Sequence, residues 1–173
     1  KAEIAREKGL EPLAILIMQQ KETDPEKKAK SFINEKVQTE QDALNGAKDI
    51  IAEFLNENER SRNAIRQQFR RTAVITSRIV KGKEEEGVKY RDYFDFNEPL
   101  KHCSSHRMLA MRRGESEGIL RIDISPDEES SLNLLRKIFI KGNNACSQLV
   151  NEAISDCYKR LLKPSIETEF ASL

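Results

Sequence analysis

The chain has 173 residues, enough for one domain with a real core or for two small lobes. Charged residues make up 34% and hydrophobic ones only 38%, a balance that long solvated helices with narrow apolar stripes produce. No apolar run nears the roughly 20 residues that span a bilayer, and the net charge of +1 gives no overall pull toward nucleic acid. A soluble protein is expected.

Helix signals come first. Glu11-Pro12 opens a helix through the apolar run Leu13 to Met18, and Asp24-Pro25 repeats the device, with Ala29, Phe32 and Ile33 predicted inward. Thr39 caps a helix whose Ala43, Leu44, Ala47, Ile50, Ile51, Phe54 and Leu55 recur at helical spacing. Asn58 caps another, expected over roughly 59–80, with Ile65, Phe69, Thr72, Thr76 and Ile79 inward. From Lys81 the character changes, as Gly82, Gly87, Pro99 and Gly114 force short elements. Met108 to Met111 reads as a short helix ending at Gly114, and residues 118–124 alternate as the one convincing strand, which needs a partner strand here or in absent sequence. Beyond Pro126 a helix runs to about Ile140, a second from about Asn144 to Lys163, and a last one follows Pro164. The fold class is mainly α, an irregular helical array with at most a small strand element around 118–124. Three portions are expected: 1–80 helical, 81–128 irregular, and 129–173 helical, leading toward a domain not present here.

Three cysteines cannot all pair within the chain. Cys146 and Cys157 share a helix face but lie roughly 16 Å apart along its axis, beyond the reach of a disulfide. A reduced, cytoplasmic setting is expected.

The sharpest chemical signal is basic. Residues 60–83 hold six arginines and two lysines and no acidic residue. On a helix, Arg62, Arg66 and Arg70 stand one turn apart, and like charges at that spacing repel unless neutralised. Together with Arg71, Arg78, Lys81 and Lys83 they form the candidate nucleic-acid-binding set, since forked arginine donors suit phosphate. The alternative is a solvated face, or one neutralised within the fold by acids such as Glu84 to Glu86.

His102, Cys103 and His106 invite a metal or nucleophile reading, but Cys103 points about 100° from His102 around a helix and no fourth ligand is spaced nearby. Ser104 or Ser105 reads better as a helix cap. The acidic runs Glu84 to Glu86 and Asp127 to Glu129 lie in solvent-prone stretches, without the burial or apolar setting that working acid–base carboxylate pairs need. No phosphate-binding loop, dinucleotide fingerprint or nucleophile elbow occurs. No catalytic residue, metal or cofactor is therefore expected. Tyr90, Tyr93, Phe94 and Phe96 are interleaved with Asp92 and Asp95, which favours packing over base stacking.

The stretch from Lys81 to Leu100 mixes charge, aromatics and glycine in a way no helix or strand period generates. It continues through Ser105-His106-Arg107, Arg113-Gly114-Glu115, Glu117-Gly118-Ile119-Leu120-Arg121 and Pro126-Asp127-Glu128, and the opening Ala5 to Ala14 fits the same pattern. In these residues the chain resembles the Tex family of bacterial transcription accessory proteins. One departure stands out: Cys103-Ser104 occupies the place where that pattern has an apolar residue and a proline. The resemblance implies a piece of a larger cytoplasmic factor with a ribonuclease-like domain, a helix-hairpin-helix module and an RNA-binding OB-fold. This portion would then be a helical scaffold with backbone phosphate contacts to RNA or DNA, no membrane role, and RNA polymerase or other transcription machinery among its partners. Two rivals stand beside it: an interaction platform docking an acidic partner through the arginine stripe, and an enzyme using His102, Cys103 or His106.

Overall fold

The computed structural model describes residues 1–171, which divide into two compact units. The first takes residues 1–65 and continues from 129 onward; the second takes residues 66–128.

The first unit is all helical. It contains α1 (Ala2–Glu7), α2 (Glu11–Gln19), α3 (Pro25–Ala29), α4 (Glu40–Glu57), the start of α5 (Glu59–Thr72), nearly all of α7 (Glu128–Phe139), α8 (Ala145–Cys157) and α9 (Lys163–Ala171). Side-chain caps fix where the helices begin, because each satisfies an otherwise unpaired N–H. Asp24 accepts from the Lys27 N–H at 3.1 Å, Thr39 from that of Asp42 at 3.0 Å, and Asn58 from those of Arg60 and Ser61 at 3.0 and 3.3 Å. Asn144 accepts from the Ser147 N–H at 3.0 Å. The central element is α4, which packs on α1, α2, α3 and α8. It buries Ala43, Leu44, Ala47, Ile50, Ile51 and Leu55, while α8 buries Cys146, Val150, Ala153, Ile154 and Cys157. Burying a large aliphatic side chain is worth roughly 1.5–3 kcal/mol, so this pairing dominates the unit.

Helical spacing alone misplaces two apolar residues. Phe54 and Ile33, both predicted inward, are each 43% exposed. Phe54 stands at the margin of the α4 stripe, and Ile33 follows the single 3₁₀ turn Lys30–Phe32, where the chain has already gone extended. The helix predicted to run unbroken from 144 to 163 widens into a π turn over Tyr158–Leu162 before α9. Pro164 explains the change: it has no N–H and its ring crowds the carbonyl four residues back, so regular α winding cannot pass through it.

Gln20 ties the first unit together. It ends α2 in the left-handed conformation, φ 55°, and is almost fully buried. Its amide donates to the Phe139 carbonyl at 2.7 Å and accepts from the Lys141 N–H at 2.8 Å and the Ser147 hydroxyl at 2.9 Å. Its own carbonyl accepts from Asn144 at 2.7 Å. One side chain thus satisfies the loop between α7 and α8.

The second unit holds the larger departure from expectation. α5 stops at Thr72, and residues predicted to continue it form β1 (Val74–Ile79). β2 (Asp95–Pro99) and β3 (Leu120–Ser125) pair antiparallel on either side of it, giving the order β2-β1-β3. The run Thr72, Val74, Ile75, Thr76, Ile79 and Val80 is β-branched, which disfavours helix and favours a pleated surface. Thr76 and Ile79 fit a helical stripe by spacing, but Ile79 fits equally the strand alternation through Ile75 and Ser77. The partner of the predicted strand thus lies within the chain, in a stretch that spacing assigns to a helix. The fold is mainly α with one small three-stranded sheet.

One face of that sheet is covered by α6 (Ser105–Ser116), packed on β3, and by the 3₁₀ turn Val88–Tyr93. Tyr90, Ile119 and Leu120 form the core here, with Ile79, Tyr93, Phe94 and Ile122 against them. α6 runs through Gly114 rather than stopping at it, because the glycine serves a close approach. A Cβ there would stand 2.5 Å from a Leu120 methyl and 3.3 Å from the Tyr90 ring.

Gln20→Ala should cost on the order of 2 kcal/mol, measured by urea unfolding, because it leaves the buried Phe139 carbonyl and the Lys141 N–H without their side-chain partner, while the Ser147 hydroxyl keeps Asn144 at 3.2 Å. Gly114→Ala should cost about 1–3 kcal/mol by the same assay, the penalty of overpacking against Leu120.

Candidate nucleic-acid interface

The seven candidate cations do not share one fate. Arg62 lies in the first unit, where its guanidinium is consumed internally. Nη2 donates to the Ser165 hydroxyl at 2.8 Å and pairs with Glu169 at 3.2 Å, and Nη1 donates to the backbone and side-chain oxygens of Asn56 at 3.1 and 3.3 Å. Its neutralising acid is Glu169, not the Glu84 to Glu86 run. Arg66 is half-buried and Arg70 exposed, and each has interactions within the chain.

Arg71, Arg78 and Lys81 differ. Arg71 and Lys81 are exposed and have no partner among the described residues. Arg78 pairs through Nη1 with Asp95 at 3.1 Å and donates from the same nitrogen to the carbonyls of Ser77 and Phe96 at 2.9 and 3.1 Å. Lys83 is matched to Glu86 at 3.4 Å in the loop after β1.

Around these cations the dense family-like pattern resolves into contacts. Glu98 on β2 receives Nε and Nη2 of Arg107 on α6 at 2.8 and 3.1 Å, a two-point carboxylate–guanidinium pair. Arg107 also donates to the His102 carbonyl at 3.1 Å, closing the loop that leads into α6. Ser104, standing where a proline was expected, caps α6 by accepting from the Arg107 N–H at 3.2 Å. The helix start therefore needs no proline. Tyr90 donates to Glu117, which Lys89 also meets at 3.3 Å. Tyr93 and Phe96 meet edge to face, 5.4 Å apart at 83°. All four aromatics from Tyr90 to Phe96 belong to the packing of this unit or its edge.

The electrostatics follow from these pairs. The Arg107 guanidinium holds the Glu98 carboxyl below its ordinary value of 4.5. Burial, aided by the adjacent Glu98 carboxylate, pushes the Cys103 thiol up to about 11, so it stays protonated and a poor nucleophile at neutral pH. His102 and His106 are exposed, and among the described residues no three His, Cys, Asp or Glu side chains are grouped to hold a metal ion. In the first unit, burial and the neighbouring Asp156 push the Cys157 thiol up to about 12. None of the three cysteines is in a disulfide.

Two features escaped the sequence. Arg121 on β3 stands directly across from Arg78 on β1, a pairing hidden as long as 74–79 reads as helix. The first unit also carries an open cleft of about 660 Å³ between α2 and α4, lined by Ala14, Ile15, Met18, Ile50 and Phe54 with Glu57 at its margin. No helix among the described residues is long and apolar enough to cross a membrane.

The mainly helical chain with its small clamped sheet carries the residue pattern of one family of central-region sequences. The family described as Tex central region-like matches residues 20–172. Protein tex of Bordetella pertussis is 42% identical over 134 residues, covering 75% of this chain and 17% of that protein. The transcriptional accessory protein Tex of Neisseria gonorrhoeae is 39% identical over 130 residues, with 74% and 17% covered. The protein YdcI of Bacillus subtilis is 37% identical over 174 aligned residues, 98% of this chain and 24% of its own length. The chain belongs to the Tex family, and spans at most about a quarter of these relatives' length.

The Glu98–Arg107 pair should be acid-sensitive. Because the folded value of Glu98 lies below its unfolded one, its contribution is full above the ordinary carboxylate pKa and is lost as pH falls through the folded value. Acid titration followed by NMR at α6 should show that loss in the wild type, while Glu98→Gln should be weakened already at neutral pH and lack this acid step.

Proposed function

We propose that this chain is a non-catalytic helical scaffold of a cytoplasmic transcription accessory factor, and that it grips RNA by the phosphate backbone without reading sequence. The observation that carries the reading is the pair of exposed cations Arg71 and Lys81, in a tract of 24 residues without an acid, that no described side chain neutralises. An unneutralised cation on a surface is available to release counterions and bind phosphate. Arg78 adds free guanidinium nitrogens to the same tract, while Arg62 and Lys83 are occupied and act structurally. Membership of a family that includes a transcriptional accessory protein supports the setting. The raised thiol of Cys103 and the two-point pairing of Arg107 argue for structural roles in the signature residues rather than chemistry.

A second reading, a docking platform for RNA polymerase or other transcription machinery, draws on the cleft between α2 and α4. Ile15 and Phe54 there are 54% and 43% exposed, more apolar surface than a lone side chain presents.

Fluorescence anisotropy of labelled single-stranded RNA across a salt series separates the two. The wild-type chain should bind with a steep salt slope. Arg71→Glu/Lys81→Glu should bind at least five-fold more weakly and flatten the slope by about 1.4, from roughly 0.7 for each of two phosphates no longer neutralised. A wild-type chain that binds no RNA would overturn the phosphate-contact reading and leave the docking platform.

A further inference from the structure

Side chains of a strand alternate between its two faces, so the register of the small sheet sorts every residue. Ile75, Ser77 and Ile79 of β1 point to the face covered by α6 and the 3₁₀ turn; Val74, Thr76 and Arg78 point to the other. On that open face three rungs cross the sheet: Asp95, Arg78 and Arg121; then Asn97, Thr76 and Asp123; then Pro99, Val74 and Ser125. All three residues of the first rung are exposed, as are Asn97 and Asp123.

The first rung is electrostatically unsettled. Like charges directly opposite on neighbouring strands destabilise a sheet, yet Arg78 and Arg121 are cross-strand partners. Asp95 sits one strand further away and is spent on a single nitrogen of Arg78. Nε and Nη2 of Arg78, and the whole guanidinium of Arg121, have no partner among the described residues. Asp123, the acid nearest Arg121 on its own strand, already accepts from the Ser125 hydroxyl at 2.5 Å. Two facing guanidinium forks with free donors are complementary to one phosphate placed between them.

The other rungs, spaced about 6.8 Å apart along the strand, are of different character. The second offers the Asn97 amide and the Thr76 hydroxyl, neutral groups able to donate and accept, each without a partner among the described residues, and beside them the Asp123 carboxylate, which accepts from the Ser125 hydroxyl. The third offers the apolar surface of Val74 and Pro99. No aromatic ring lies on this face, since Phe96 belongs to the opposite side of its strand, so base stacking is not provided.

We propose that the open sheet face is a docking surface for single-stranded RNA, with one backbone phosphate held between Arg78 and Arg121. The ribose lies over Thr76 and Asn97, which hydrogen-bond its 2′-hydroxyl, the group that distinguishes RNA from DNA. Val74 and Pro99 support the next nucleotide by apolar contact. The inference rests on the RNA-contact reading above and deepens it by placing the grip on the sheet and by adding Arg121.

The test is anisotropy of a labelled oligoribonucleotide, and of its DNA counterpart, with the whole chain. Arg121→Glu gives Arg78 an opposite charge across the strand, so the thermal midpoint by circular dichroism should not fall. RNA binding should nevertheless weaken at least ten-fold, with a salt slope shallower by about 0.7 for each phosphate no longer neutralised. Arg121→Gln, which removes the charge alone, should move binding in the same direction by a smaller factor. Thr76→Val should erase a several-fold preference for RNA over DNA. If Arg121→Glu and Arg121→Gln bind as the wild type does while Arg71→Glu/Lys81→Glu does not, the sheet face is overturned and the broader RNA reading stands. Equal wild-type binding of RNA and DNA overturns the ribose assignment. Displacement of the RNA by polyglutamate at matched charge overturns it in favour of an acidic protein partner. No binding of RNA by the wild type overturns this inference and the broader phosphate reading together.

Discussion

The ladder of hydrogen bonds on both sides of β1 is the constraint on which the second unit depends. A three-stranded sheet has one face to bury, and a chain of this composition has few large apolar residues to place there. Tyr90, Ile119 and Leu120 supply the centre, and α6 must come close to cover them. Gly114 permits that approach, and Glu98–Arg107 fixes the helix to β2 by a directional contact where apolar area is scarce. The dense mixture of charge, glycine and aromatics that marks the family is therefore what a small, minimally hydrophobic unit needs to hold its shape. Glu98, Arg107, Glu117, Lys89, Arg78 and Lys83 each have a nearby opposite charge or a polar partner. Arg121 and Lys81 stand out against that background.

The first unit solves the same scarcity differently. Its helices bury one narrow stripe each, and α4 presents its stripe to four neighbours. Turns and loops are then held by polar side chains that satisfy several backbone groups at once, Gln20 most of all. Such groups add little apolar area but specify geometry, since an unmade bond in a buried position is more costly than a made one is favourable. The same economy leaves Ile15 and Phe54 uncovered beside the cleft, where a hydrophobic side chain without a neighbour is more informative than a buried one.

The basic tract shows how a single sequence feature divides once folded. Six arginines and two lysines in 24 residues look uniform in one dimension. Folding assigns Arg62 to a helix–helix brace with Glu169, Arg78 to the edge of a cross-strand pair, and Lys83 to a loop contact, leaving Arg71 and Lys81 to solvent. Charge density alone says only that phosphate is a candidate partner; which donors remain free after internal pairing says where it would sit.

The sequence by itself determined the helical character, the helix starts at Asp24, Thr39, Asn58 and Asn144, the strand near 118–124, and the family, and it narrowed one further cap to Ser104 or Ser105. These are legible because caps, periodicity and motif are properties of neighbours along the chain. The conversion of 74–79 from helix to strand was not legible, because Thr76 and Ile79 satisfy helical spacing and the deciding hydrogen bonds come from residues about 20 and 50 positions away. For the same reason the facing of Arg78 and Arg121, the pairing of Arg62 with Glu169 and the exposure of Phe54 were decided only by tertiary structure. Each depends on which distant group arrives beside a side chain, and no local pattern carries that distance.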